Sequence, residues 1–410
     1  MCLEGFGRFR LFFELFLTVI TRFSYHFFFY ICICFEKNIV MASNKQKNIN
    51  IENDNAKYKF YSQTVFWHDD LIDDISQAKQ YIYIETFRIG NDAVGQRLCD
   101  ALIASHNRGI HIKVLADWWG TKLTNEHVNR MLAAGIEVRF FKKFIPSIFL
   151  FAKNHKRDHR KIVVIDDSIS YIGSANFTAY GQTWRESVLR IEGQMSKILK
   201  KIFYDNFKIY NKDISLPLLE KSFRRTIKYN NFFFVRDVPS VFSQRIKKAY
   251  IRLIQNAKHD IFIETPYFLP GRKIYSELVQ AVKRGVDVNL IMPQSSDMKI
   301  VDYLRTTFLE ELYKKGVNIY FYKQGNLHAK LLFVDGEWFT IGSANMDHRS
   351  FKYMFEIACM GYETAVCELV SQHIHQTLSL SEPFDEDAWH TTPLFKRIIA
   401  FILLPFSHLL

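Results

Sequence analysis

At 410 residues the chain is long enough to bury more than one core, and length alone points to two or three domains. A composition that is 48% hydrophobic and 16% aromatic, with 38 Phe, argues against disorder, and its six cysteines (Cys2, Cys32, Cys34, Cys99, Cys359, Cys367) show neither a metal spacing nor a disulfide framework. The surplus of 54 Lys and Arg over 42 Asp and Glu, a net +12, suits an anionic partner, either nucleic acid or an anionic membrane surface.

Residues 1–55 read as an apolar extension followed by a polar tail. Leu11–Ile20 and Phe23–Phe35 are apolar, but Arg8, Arg10, Glu14, Arg22 and His26 interrupt them, so no run reaches the roughly 20 residues of a membrane span. Three readings stand: a poor anchor, an interfacial segment, or an extension outside the working protein. The last is favoured because Met41 opens a plausible start and no signal-peptide cleavage site is visible.

From there the pattern alternates. An amphipathic helix is predicted over Phe66–Lys79, a strand over Tyr81–Thr86, a helix over Ala93–His106, and a strand over Ile110–Leu115. A further helix ends at Gly135 before a strand over Ile136–Phe141, and Met195–Tyr210 reads as helical. The order then recurs, with strands over Ile261–Thr265, Val286–Ile291 and Val317–Tyr322. Alternation of this kind predicts mixed α/β sheets with helices on their faces, in halves over residues 56–215 and 216–385. Residues 386–410 form an apolar tail, either a short membrane-surface helix or a segment docked on the body. Gly135 and Gly316 are 181 positions apart, 12 more than the spacing of the repeated histidines described next, which locates an insertion in Phe141–Arg157. Its phenylalanines and cations suit a lipid headgroup boundary, against the alternative of a loop tucked under the domain.

One stretch occurs twice. His159-Arg160-Lys161 precedes an apolar run to Asp166 and then Gly173-Ser174-Ala175-Asn176; His328-Ala329-Lys330 precedes a like run to Asp335 and then Gly342-Ser343-Ala344-Asn345. The offset is 169 throughout. The four apolar residues after each lysine read as a buried strand, on which residues i and i+2 share a face, so each histidine is predicted to project beside its lysine. A lone His-x-Lys is common and carries little weight. Two in register, each followed by the same polar residues, point to a paired phosphate site.

These residues resemble the HxKxxxxD motifs of the phospholipase D superfamily in its two-domain form, over about residues 56–405. Glu186 and Glu356 complete the match at an offset of 170, one residue having been gained between Asn and Glu. Thr265-Pro266-Tyr267-Phe268 and Asn345–Phe351 further resemble elements of bacterial cardiolipin synthases. The resemblance implies two similar α/β sandwich domains with mixed sheets, related by a pseudo-twofold axis, with the site at their interface. It implies His159, Lys161, Asp166, His328, Lys330 and Asp335 as the catalytic motif set, His159 as nucleophile and His328 as acid/base. Ser174, Asn176, Glu186, Ser343, Asn345 and Glu356 are implied to bind phosphate or support the site, the glutamates by fixing the histidine tautomers, whereas the two aspartates read better as structural partners at strand ends. No metal or cofactor is expected, the lysines supplying positive charge. The implied reaction is phosphatidyl transfer between two phosphatidylglycerol molecules through a phosphohistidine, releasing glycerol, at a bacterial cell membrane and peripherally or weakly anchored. Hydrolysis of a phospholipid, transfer to another alcohol, and metal-independent cleavage of nucleic acid remain the alternatives.

Overall fold

The apolar runs after the two motif lysines are strands buried on both faces. Ile162 and Val164 enter one core while Val163 and Ile165 enter another; Leu331 and Phe333 divide from Leu332 and Val334 in the same way. Both sheets are therefore covered on each side.

The computed structural model describes residues 56–121, 125–141, 156–209, 226–240 and 242–386, all within one compact unit. The N-terminal extension, residues 142–155 of the stretch that holds the insertion, and residues 387–410 of the apolar C-terminal tail lie outside the described residues.

The first half runs β1 (Lys57–Gln63), α1 (Thr64–Ser76), β2 (Tyr81–Thr86), α2 (Ala93–Asn107), β3 (His111–Asp117), α3 (Trp118–Thr121), α4 (Glu126–Ala133), β4 (Glu137–Phe141), β5 (Arg157–Asp158), β6 (Ile162–Ile165), β7 (Ile169–Gly173), β8 (Arg185–Glu192) and α5 (Ser196–Ile209). The second runs β9 (Ile227–Tyr229), β10 (Phe232–Asp237), α6 (Arg245–Asn256), β11 (Asp260–Glu264), α7 (Gly271–Lys283), β12 (Asp287–Pro293), α8 (Lys299–Lys314), β13 (Asn318–Tyr322), β14 (Leu331–Val334), β15 (Trp338–Gly342), α9 (His348–Tyr353), β16 (Met354–Gly361), α10 (Thr364–Ser379) and β17 (Ser381–Pro383). Predicted boundaries shift by a few residues at most. The first helix ends at Ser76 rather than Lys79, for example, and the one predicted over Met195–Tyr210 spans Ser196–Ile209.

The first sheet has the order β1-β8-β7-β6-β2-β3-β4, and the second contains the matching series β10-β16-β15-β14-β11-β12-β13, extended at its edges by β9 and β17. Strands β2, β3 and β4 pair in parallel, as do β11, β12 and β13, while the others along this path pair antiparallel. The fold is thus a duplicated mixed α/β sandwich.

Outer helices α1, α2 and α4 cover one face of the first sheet, and α6, α7 and α8 cover the corresponding face of the second. Between the sheets lies a shared core. It contains Phe203 and Phe207 from α5, Val370 and Ile374 from α10, and strand residues of both halves such as Ile162, Leu189, Leu331 and Phe339. Strand β5 departs from the duplicated plan, because Arg157 and Asp158 belong by sequence to the first half yet pair with Met354 and Phe355 of β16.

Candidate active site

That crossing of β5 positions the first histidine. Paired with the start of β16, the chain continues so that the His159 N–H donates to the Phe355 carbonyl at 3.0 Å. The neighbouring residue on β16 is Glu356, and its carboxylate meets His159 Nδ1 at 3.0 Å. The second half mirrors this. Leu327 bridges to Arg185 at the start of β8, the His328 N–H donates to the Arg185 carbonyl at 2.7 Å, and His328 Nδ1 meets Glu186 at 2.8 Å. Each imidazole is thus oriented by the glutamate of the opposite half. This arrangement corrects one sequence expectation. The histidines and lysines are not on the strands; β6 and β14 begin at Ile162 and Leu331, because the residues just before them spend their backbone hydrogen bonds on the other half.

The Gly-Ser pairs serve the same carboxylates. Ser174 Oγ donates to Glu186 and Ser343 Oγ to Glu356. Close approach of the strands is needed for this: a Cβ at Gly173 would lie 2.3 Å from the Ser187 carbonyl oxygen, and one at Gly342 would lie 2.3 Å from that of Ile357. With Nδ1 turned to a carboxylate, a neutral ring carries its proton there and leaves the Nε2 lone pair for chemistry.

Lys161 and Lys330 are buried, and their ammonium groups donate to the carbonyls of His159 and His328. An ammonium has three donors, so two remain on each for a ligand or neighbouring carboxylate. Asn176 and Asn345 line the cavity, each with a side-chain Oδ1 that is buried and lacks a hydrogen-bond partner among the described residues. Asp166 and Asp335 do not join them. Both are turn residues in the left-handed region (φ 51° and 56°), where a short polar side chain is better tolerated than most. Their carboxylates accept from the backbone N–H groups of Lys79, Gln80 and Tyr81, and of Lys258, His259 and Asp260. The two aspartates thus anchor strand ends.

Burial sets the protonation of the group. It drives His159 well below the ordinary histidine value, with help from Lys161, Lys330, His328 and Arg349. Burial also lowers His328, but there Glu186 and Asp297 pull the other way. Desolvation brings Lys161 down to about 7 against the attraction of Glu356, and Lys330 down to about 8 against that of Glu186. Glu356 is pushed up to about 7 by burial despite Lys161, whereas for Glu186 the pull of His328 and Lys330 outweighs burial and its value falls.

Both histidines open on one cavity of about 270 Å³. Besides them and the asparagines, its wall includes Arg88, Trp119, Tyr180, Trp184, Tyr267, Asp297, Asp347 and Arg349. Tyr267, Asp347 and Arg349 fall in stretches that the sequence had already singled out, without a role. Arg88, Asp297 and Trp119 had no sequence signal, since they sit in loops or, for Trp119, the short helix α3 just after strands, and only the fold brings them to the site. Among the described residues, no group of three or more His, Cys, Asp or Glu side chains is arranged to hold a metal ion.

A family model described as "Cardiolipin synthase, PLD-like domain" matches residues 71–207 and 250–378, so each histidine-bearing half is a copy of it. The chain belongs to this phospholipase D-like cardiolipin synthase family. A cardiolipin synthase of Geobacillus thermodenitrificans is 30% identical over 345 residues, covering 80% of this chain and 67% of that protein. A cardiolipin synthase of Clostridium perfringens is 28% identical over 371 residues, covering 85% and 77% respectively. Among solved structures, a phosphatidylserine synthase from Haemophilus influenzae superposes with a TM-score of 0.69 at 14% identity, over 86% of this chain and 95% of that one. Polyphosphate kinase from Porphyromonas gingivalis does so at 0.55 and 14%, over 87% and 53%. At such identities the structural likeness speaks for the fold alone. It is the sequence relatives of the cardiolipin synthase family that bear on chemistry.

Proposed function

We propose that the protein is a cardiolipin synthase-type phosphatidyltransferase, which moves a phosphatidyl group from one phosphatidylglycerol to the headgroup hydroxyl of another and releases glycerol. The observation that carries this reading is the pair of histidines on one cavity, each with Nδ1 held by the other half's glutamate and Nε2 left for the substrate.

His159 is the nucleophile. Burial and the surrounding cations keep it neutral, as an attacking nitrogen must be. Its Nε2 bonds to phosphorus as the bond from phosphorus to the glycerol oxygen breaks, and His328 gives its Nε2 proton to that oxygen. In the second step His328 takes the proton from the incoming hydroxyl, whose oxygen bonds to phosphorus as the bond to His159 breaks. Glu186, held ionised beside His328, supports the cationic form that this acid needs. Lys161, Lys330, Asn176 and Asn345 supply donors to the non-bridging oxygens, where charge gathers.

The substrate places the enzyme at a bacterial membrane surface. Support for that contact comes from the net charge of +12 and from Trp119 and Tyr180, exposed aromatic residues of the cavity wall. No helix of the described residues is long and apolar enough to cross a membrane.

Purified full-length protein incubated with labelled phosphatidylglycerol tests the reading. Free glycerol with a four-chain lipid product is the expected result. Phosphatidic acid alone would make it a hydrolase, and nicking of plasmid DNA in a parallel reaction would make it a nuclease. His159→Ala and His328→Ala should each abolish turnover, and only the variant retaining His159 should be able to trap labelled phosphate on the protein.

A further inference from the structure

The duplicated halves do not line the cavity alike. By strand register, Arg88 of the first half stands where the second has Tyr267, since Ile89 and Phe268 make equivalent bridges to Phe177 and Met346. Tyr180 likewise stands where the second half has Arg349. The arginine and tyrosine have exchanged places between the halves. In the first half the two satisfy each other, the Arg88 guanidinium donating to Tyr180 Oη at 2.9 Å. In the second they do not: Tyr267 donates instead to Asp297 at 2.6 Å, while Arg349, like Arg88, keeps a buried Nε with no hydrogen-bond partner among the described residues. Tyr267 is itself buried, whereas Asp297 is exposed, and both line the cavity.

A carboxylate is an odd neighbour for an anionic substrate. At a cavity built for a phosphodiester it repels the phosphate, but it is a strong acceptor for hydroxyl groups. Its location resolves the difficulty. Asp297 is close enough to His328 and Lys330 to act on both electrostatically, while Arg349 acts on His159. The carboxylate therefore belongs to the end of the cavity where the alcohol leaves and enters, and the Arg349 guanidinium to the end where phosphorus is attacked.

We propose that Asp297, held by Tyr267, is a specificity-determining subsite for the free hydroxyls of the headgroup alcohol, and that it makes the enzyme select a polyol over a monohydric headgroup. This rests on the phosphatidyltransferase reading above and deepens it. Because the departing and arriving alcohols share the His328 side, one subsite serves both half-reactions. Glycerol attached to phosphate has two further hydroxyls for Asp297 to receive. Ethanol has none, so a subsite built to accept a hydroxyl gains nothing from it.

The test compares headgroup-labelled phosphatidylglycerol and phosphatidylethanol as donors in mixed micelles, with glycerol supplied as the acceptor for both and release of the labelled headgroup alcohol as the readout, using full-length wild type, Asp297→Asn and Tyr267→Phe. Exchange of a charged for a neutral acceptor should lower kcat/KM for phosphatidylglycerol about tenfold in Asp297→Asn, chiefly through KM. The kcat/KM for phosphatidylethanol, lower in wild type, should stay within about twofold, and this also shows that the variant is folded. Tyr267→Phe should show the same selectivity loss to a smaller degree. Equal losses on both donors, or none on either, would overturn the subsite while leaving the transferase standing. Failure of wild type to turn over either lipid would instead remove the transferase reading, and the subsite with it.

Discussion

Each imidazole depends on a carboxylate that it does not share a half with, so the glutamates can be separated from the histidines by mutation. Glu186→Gln and Glu356→Gln keep the side-chain shape and lose the charge that orients and supports the ring. Turnover should fall about 10²–10⁴-fold, the span general acid–base effects cover, without loss of the fold. Glu186→Gln is expected to be the more damaging in the protonation of the leaving alcohol, because it serves His328. Rates measured with a donor carrying an activated, weakly basic leaving group check this. Such a donor should rescue Glu186→Gln and leave Glu356→Gln impaired. The lysines add a pH signature. His328, the acid, loses its proton below the ordinary histidine value, and Lys161 and Lys330 follow at about 7 and about 8, removing the positive charge awaiting the phosphate, so kcat/KM should fall on the alkaline side. Bound phosphate holds those protons, so kcat should fall later. On the acid side the loss comes when His159 takes a proton, below the ordinary histidine value. A kcat/KM profile flat to pH 10 would contradict this account.

At the scale of elements, the strands and helices of both halves were legible because their apolar periodicity and closing glycines recur. Gly135 and Gly316 both adopt φ near +90°, where glycine is at no disadvantage, at the ends of corresponding helices. What the repeat could not disclose is the exchange at β5 and Leu327. The register of a two-residue bridge depends on the other half's backbone, and nothing local distinguishes Arg157-Asp158 from ordinary loop. The exchange carries its own support. Arg160, fully buried, bonds Asp158 at 2.9 Å and Asn206 at 2.6 Å and pairs with Glu85 at 3.0 Å, tying β5, α5 and β2 together. Its counterpart is Ala329, so the sequence repeat gave no hint of this cluster. Arg160→Ala leaves two buried carboxylates without their cation and should cost about 3–5 kcal/mol in denaturant unfolding. His159 sits one residue away, so activity should be lost at temperatures where the variant is still folded.

For the whole molecule, the position of the site dictates how it is lost. The core between the sheets is drawn from both halves: Phe141 packs against Phe355 with ring centroids 4.8 Å apart, and Tyr58 against Phe232 at 5.6 Å. Neither sheet can keep its inner face out of water without the other. Apolar burial at roughly 25 cal/mol per Å² makes exposing such a face costly, so a half that unfolded alone would strand its partner. Two matched domains of this length often unfold separately. Here we expect one transition in denaturant, with tryptophan fluorescence, far-UV circular dichroism and enzymatic turnover lost at the same midpoint. Trp67 reports on the outer core of the first half and Trp338 packs against that of the second, so Trp67→Phe and Trp338→Phe variants reveal whether each half follows the same curve. Separate midpoints for the two would mean that the shared core is weaker than its composition indicates. The cross-held histidines would then be lost with whichever half gives way first.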